Sequence, residues 1–136
     1  MESSAIDAQD QARCKFLIVD DEPKLGRLLE EYFLHKGYEV RVAHEGEEAL
    51  ALAQIFHPDV VLLDLLMPGL NGIETLKRLK QFPSSPRVII MSAADDEIVI
   101  NGAIKLGAHF YVCKPVDLSQ LEHLVRGFLP PTTRHR

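Results

Sequence analysis

From residue 15 to residue 128 the hydrophobic positions switch between two periods. "KFLIVD" (15–20) is an unbroken apolar run closed by an acid. "VVLLD" (60–64) and "RVIIMS" (87–92) repeat that form, the last ending in a hydroxyl. Short apolar runs of this kind predict strands buried on both faces. "YEVRVA" (38–43) alternates apolar with polar, which predicts an edge strand, and "FYVCKP" (110–115) predicts a fifth strand. Between the strands the spacing becomes helical. Leu25, Leu28, Leu29, Tyr32 and Phe33 share one helical face, with Pro23 suited to its start and Gly37 to its C-terminal cap. Ala49, Leu52, Ala53 and Phe56 mark a second helix, closed by Pro58. The turn-rich loop "MPGLNG" (67–72) leads into a third, carrying Ile73, Leu76 and Leu79 and stopping near Pro83. Residues 96–106 predict a fourth, capped by Gly107. Asp117, with Gln120 three residues on, resembles a capping box opening a fifth helix that carries Leu121, Leu124, Val125 and Phe128.

Five strand–helix units argue for the α/β class, a parallel sheet with helices on both faces. In such sheets ligands gather at the carboxyl ends of the strands. The groups that end the strands are therefore expected to meet: Asp20 and Asp21, Asp64, Ser92 and Lys114.

Composition narrows the class without choosing a function. The chain has 136 residues, enough for one domain, read here as 14–129. Residues 1–13 read as a flexible tail and 130–136 as a tail or the start of a linker. No apolar run approaches the ~20 residues of a membrane span, and the polar start "MESSAIDAQDQAR" is no secretory signal. A cytoplasmic location is the expectation. The net charge is −5, with Lys and Arg scattered along the sequence. Direct nucleic-acid binding needs a basic footprint and is not expected. The two cysteines, Cys14 and Cys113, form no C-x-x-C and read as buried or half-buried hydrophobes. The six histidines read as surface or packing residues.

The strand-end set has a chemistry of its own. Two like charges ~4 Å apart repel by about 4 kcal/mol near a protein surface, so these strand-end acids either splay into water or have something positive among them. Oxygen ligands suit a hard divalent ion such as Mg²⁺, and thiolate or imidazole ligands for zinc are missing at these positions. A nucleophilic carboxylate, a hydroxyl and an ammonium remain. That combination suits phosphoryl transfer to an aspartate, which rests on positioning and on cations around the phosphoryl oxygens.

With these residues in place, the sequence resembles the receiver domain of two-component response regulators. The stretches "FLIVDDEPKLGRLLEEYF", "GYEVRVAHEGEEAL", "DVVLLDLLMPGLNGIETLKRLK", "VIIMSA" and "KLGAHFYVCKPVDLSQL" carry the resemblance across residues 15–125. The loop and third helix are similar to those of regulators of sigma-54-dependent transcription. The resemblance implies a flavodoxin-like fold with strand order 2-1-3-4-5. It implies that Asp64 accepts a phosphoryl group from a sensor histidine kinase or a phosphotransfer protein. Asp20, Asp21, Asp64 and the backbone carbonyl of Leu66 would hold Mg²⁺ or Mn²⁺. Ser92 and Lys114 would contact the phosphoryl group, and Ser92 and Tyr111 would form the switch. Lys114–Pro115 would be a cis bond. Tyr111 also reads as an ordinary strand tyrosine with a wet hydroxyl, and Glu22 as a helix N-terminal charge.

The sequence departs from that pattern at two points. Phe110 stands where an acid is common, and Val116 where a Phe is. Both lie near the face of the fourth helix, fifth strand and fifth helix, the expected surface for partners or a homodimer, and Phe110 reads either as core or as part of that face. Leu66 and Ala94 hold the positions that tune hydrolysis in this family, and neither side chain can hydrogen-bond a water, so slow dephosphorylation is expected. Two rival readings stand beside this one. Phosphatases of the haloacid-dehalogenase type need a second acid where this chain has Leu66. Receiver-like modules that work unphosphorylated usually lack one of the acids or the lysine.

Overall fold

The computed structural model describes residues 14–66, 71–92 and 97–128. Both segments read as tails, 1–13 and 130–136, lie outside those residues, as does Ala94. In chain order the elements are β1 (Lys15–Val19), α1 (Pro23–His35), β2 (Glu39–Ala43), α2 (Gly46–Phe56), β3 (Val60–Asp64), α3 (Gly72–Leu79), β4 (Arg87–Ser92), α4 (Glu97–Lys105), β5 (Phe110–Cys113) and α5 (Leu118–Gly127). The five strands form one sheet in the order β2-β1-β3-β4-β5, and every pairing is parallel. The predicted α/β architecture is the one observed.

The strand pleat sorts the core into two halves, because successive side chains face opposite ways. Leu17, Val19, Val61, Leu63, Val88 and Ile90 pack against Ala49, Ala53 and Phe56 of α2, Leu76 and Leu79 of α3, and Ala103 of α4. Phe16, Ile18, Val60, Leu62, Ile89 and Met91 pack against Leu29 and Phe33 of α1 and Leu121 and Val125 of α5. Both faces of β1, β3 and β4 are thus buried, which is why their sequences read as unbroken apolar runs. At the edge, β2 keeps Glu39 and Arg41 exposed and Val40 and Ala43 buried.

The helix ends follow local chemistry. Pro23 opens α1, and Gly37 just beyond its cap takes φ 96°. Gly107 does the same after α4 at φ 115°. These are left-handed conformations that glycine adopts without steric cost. Asn71 caps α3 by accepting the Glu74 N–H, and Asp117 caps α5 by accepting the Gln120 N–H. The second helix stops ahead of Pro58, and His57 takes the left-handed C-cap position at φ 54°.

The cysteines divide. Cys14 is buried, as expected, and burial, then Asp59, pushes its thiol up to about 12. Cys113 is exposed, contrary to expectation, because β5 is an edge strand with β4 on one side only.

Candidate functional site

Parallel strands end together, and the register decides which of their last residues become neighbours. Val19 pairs with Leu63, Asp64 with Met91 and Ser92 with Cys113. Asp20 therefore leaves β1 beside Asp64, Ser92 sits one step past the partner of Asp64, and Lys114 follows the partner of Ser92. Asp20, Asp64 and Ser92 are 0%, 3% and 2% exposed, three buried polar side chains closing an apolar sheet. Asp21 is exposed.

Each buried carboxylate divides its oxygens in the same way. Asp20 Oδ1 accepts the Glu22 N–H at 2.9 Å, and Asp64 Oδ1 accepts the Leu66 N–H at 3.0 Å. These are Asx-type bonds to the backbone two residues on, and they fix the carboxylate planes. The second oxygens face Lys114. Its Nζ donates to Asp64 Oδ2 at 2.9 Å and lies 3.3 Å from Asp20 Oδ2. The second contact is an ion pair without hydrogen-bond geometry, so Asp20 Oδ2 is buried without a hydrogen-bond donor. Burial lifts the Asp20 carboxyl above its ordinary range and the Asp64 charge adds to this, against the Glu22 N–H and Lys114. Burial works against the Lys114 ammonium as well, but its hydrogen bond to Asp64 and the charges of Asp64 and Asp20 raise it overall.

One ammonium does not balance three acids. Carboxylate oxygens of Asp20, Asp21 and Asp64 lie within 4.8 Å of one another. The donor set is all oxygen, one buried oxygen lacks a donor, and the three acids with Lys114 carry a formal charge of −2. A hard divalent cation fits that arrangement.

The other predicted residues lie around this cluster. Leu66, two residues after Asp64, is 64% exposed. Lys114–Pro115 is cis. Tyr111 pairs with Ile90 in the sheet, two residues before Ser92, so the pleat gives Tyr111 and Ser92 the same face. Its ring is 38% exposed and stacks on Phe110 at 6.4 Å between centroids. Phe110 is exposed too, whereas Val116 packs against the core on the α1/α5 side.

Three neighbours of the site escaped the sequence reading. Glu22 does more than begin a helix: its Oε1 lies 3.9 Å from Lys114 Nζ, and its side chain makes no cap bond. His44 Nδ1 lies 3.3 Å from the Asp20 carbonyl oxygen and acts as donor there. The strand-end rule, applied to β2 as it was to the others, would have found His44. Gly72 packs so closely that a Cβ there would meet Leu65 Cα at 2.5 Å and the Asp64 carbonyl oxygen at 2.6 Å. No sequence signal separates that glycine from an ordinary turn glycine.

The family model for the response regulator receiver domain matches residues 16–126. Over 116 residues the chain is 40% identical to sporulation initiation phosphotransferase F of Bacillus subtilis, covering 85% of this chain and 94% of that protein. It is 39% identical over 115 residues to the regulatory protein AtoC of Escherichia coli, where it spans 85% of this chain and only 25% of the relative. Among solved structures, the CheX–CheY–BeF3–Mg²⁺ complex from Borrelia burgdorferi holds a chain 30% identical, at TM-score 0.78, covering 86% of this chain and 90% of that one. The chain belongs to the response regulator receiver domain family, whose members are phosphorylation-dependent switches of two-component signalling.

Proposed function

We propose that Asp64 is the phosphoacceptor of this receiver. The observation that carries the reading is the Asp64 carboxylate, buried at a strand end and held between the Leu66 N–H and Lys114 Nζ beside two further acids. The donor is the phosphohistidine of a sensor histidine kinase or of a phosphotransfer protein. A carboxylate oxygen of Asp64 bonds to phosphorus as the phosphorus–nitrogen bond of the donor breaks, and the electron pair stays on the imidazole. Lys114 holds the carboxylate in place before transfer and a phosphoryl oxygen after it. Asp20, Asp21, Asp64 and the Leu66 carbonyl would hold Mg²⁺ or Mn²⁺, which supplies positive charge to the phosphoryl oxygens. The relative solved with BeF3 and Mg²⁺ supports that choice of ion.

The phosphoryl group adds about −1.5 to −2 charge and three acceptor oxygens. Ser92 gains a bond to one of them only in that state, and Tyr111, on the same pleat face, turns inward. The equilibrium between two existing conformations shifts, and the surface of α4, β5 and α5 changes. Ile98, Ile104, Leu106, Phe110 and Tyr111 are exposed there, and it is the face for a downstream partner or a second copy. The domain acts on its own aspartate and turns over no external substrate. Incubation with acetyl phosphate and Mg²⁺, read by intact-protein mass, is expected to add one phosphoryl group. Asp64→Asn should add none. Equal incorporation into the variant would overturn the assignment.

A further inference from the structure

The end of β2 reaches the acid cluster through one side chain. His44 follows β2 and leads into α2. The Asp20 N–H donates to the Ala43 carbonyl at 3.0 Å, one step past the last paired residues, Val19 and Ala43. The Asp20 carbonyl takes its donor from the next residue's side chain, His44 Nδ1, at 3.3 Å. A carbonyl only accepts, so Nδ1 carries the hydrogen. His44 is itself anchored, because its N–H donates to Glu48 Oε1, in the first turn of α2, at 2.7 Å. Two consecutive residues at the end of β2 thus grip both backbone groups of Asp20. The Asp20 carboxylate is gripped separately, by the Glu22 N–H at 2.9 Å and by Lys114 at 3.3 Å. Asp21 differs. It is exposed, and among the described residues no hydrogen bond or ion pair holds its side chain.

We propose that His44 is a positioning residue for the divalent cation, holding the peptide that carries Asp21 into the site. The inference rests on the reading of Asp20, Asp21 and Asp64 as metal ligands. The peptide group is planar, so the Asp20 carbonyl and the Asp21 N–H turn as one unit. A donor on that carbonyl fixes the plane, and the plane sets where the Asp21 Cα and its carboxylate stand. Without the donor Asp20 keeps its place, since its carboxylate bonds do not involve His44. The acid that moves is the one nothing else holds. Carboxylate oxygens of the three acids converge within 4.8 Å, and a cation between them depends on that convergence. Groups behind metal ligands set affinity in this way, by orienting atoms that the ion itself touches. His44 works through a backbone carbonyl, so what matters is an N–H of the right reach. An asparagine amide offers one close to where Nδ1 stands.

The test is NMR of the full chain, first in metal-free buffer and then titrated with Mg²⁺, for the parent, His44→Ala and His44→Asn. In metal-free buffer the Asp20 carbonyl and Asp21 amide resonances should move in His44→Ala while the Leu66 amide stays. His44→Asn should return them towards the parent. Mg²⁺ should bind His44→Ala about fivefold more weakly, the factor that one net hydrogen bond is worth, and His44→Asn should recover most of that loss. A parent without a saturable Mg²⁺ response would overturn the metal reading and this inference with it. A parent that binds Mg²⁺ while His44→Ala binds it equally tightly would overturn the inference alone. So would His44→Asn binding as weakly as His44→Ala, because the imidazole would then act through bulk or charge and not as a donor.

Discussion

Lys114 shows how much one side chain settles at the residue scale. It is the cation nearest to two buried carboxylates, at 2.9 Å from Asp64 and 3.3 Å from Asp20. Removing one partner of a buried ion pair costs roughly 3 kcal/mol, because the charge left behind has lost its compensation. Lys114→Ala is therefore expected to lower stability by about that much in metal-free buffer, and urea unfolding measures it. Added Mg²⁺ should recover part of the loss. Asp20→Asn should do the reverse in metal-free buffer, since it removes a carboxylate whose ionisation burial already opposes. A Lys114→Ala protein as stable as the parent would mean that water, rather than Lys114, balances the acids. Leu66 carries a kinetic expectation. With an exposed apolar side chain at that position, nothing there orders an attacking water, so phosphoaspartate should decay slowly. Leu66→Asn should shorten its lifetime, and an unchanged decay rate would remove Leu66 from that role. The residue types of Asp64, Asp20, Ser92 and Lys114 were legible because strand-end acids, a hydroxyl and a lysine stand out against apolar runs. Glu22 was not, because its reach toward Lys114 depends on a side-chain direction that adjacency in sequence does not encode.

At the element scale, packing of whole strands and helices sets what the residues can do. Helix α3 begins against the site, where the Gly72 N–H donates to the Leu65 carbonyl at 3.2 Å. A methyl group at Gly72 would press on backbone atoms of Asp64 and Leu65, which cannot rotate away. Gly72→Ala is expected to cost about 1–3 kcal/mol, the usual range for overpacking, and to shift the Leu66 amide that positions Asp64. A variant with unchanged stability and unchanged Leu66 resonance would show that the helix start yields freely. A clasp between β4 and β5, in which the Val88 N–H donates to His109 Nδ1 at 3.1 Å, gives a pH dependence. His109 is held below its ordinary value by burial, then by Lys80 and Arg87, so the unfolded chain takes up this proton at a higher pH than the folded one. More protons bound in the unfolded state means stability that rises with pH. The contribution is fully present above the unfolded value of about 6.5 and is lost as pH falls through the lower folded value. Protonation also ends the Val88 N–H bond to Nδ1. His109→Gln should flatten that part of the stability–pH curve, and a curve of the same shape would place the dependence elsewhere. The strands were the most legible elements, because burial on both faces writes itself as an apolar run. Helix ends were less so: α2 closes through a left-handed His57, a residue type with no strong preference for that position.

At the scale of the whole molecule, the sheet gathers like charges where its strands end. The strand order β2-β1-β3-β4-β5 places β1 beside β3 at the centre, and this brings Asp20 against Asp64. Alternation of strands and helices was enough to expect this gathering, because parallel strands end on one side. The acidic edge has a consequence for global stability. Asp20, Asp21 and Asp64 approach one another within 4.8 Å only in the folded chain, so a divalent cation should bind the native state and ignore the unfolded one. Stabilisation then follows mass action, reaching about 1.4 kcal/mol at tenfold the dissociation constant. For a domain of this size that is a rise of roughly 5 °C in Tm. Asp21 is the acid to change, because it is exposed and makes none of the buried contacts of Asp20 and Asp64. In Asp21→Asn, metal-free stability should stay level or rise, as one repelling charge is gone, while the Mg²⁺-dependent rise in Tm shrinks. Calorimetry with and without millimolar Mg²⁺ on both proteins checks the two halves together. A parent melt indifferent to Mg²⁺ would mean that Lys114 alone carries the charge balance of the folded site, and an Asp21→Asn melt that keeps the full rise would take Asp21 out of the metal site.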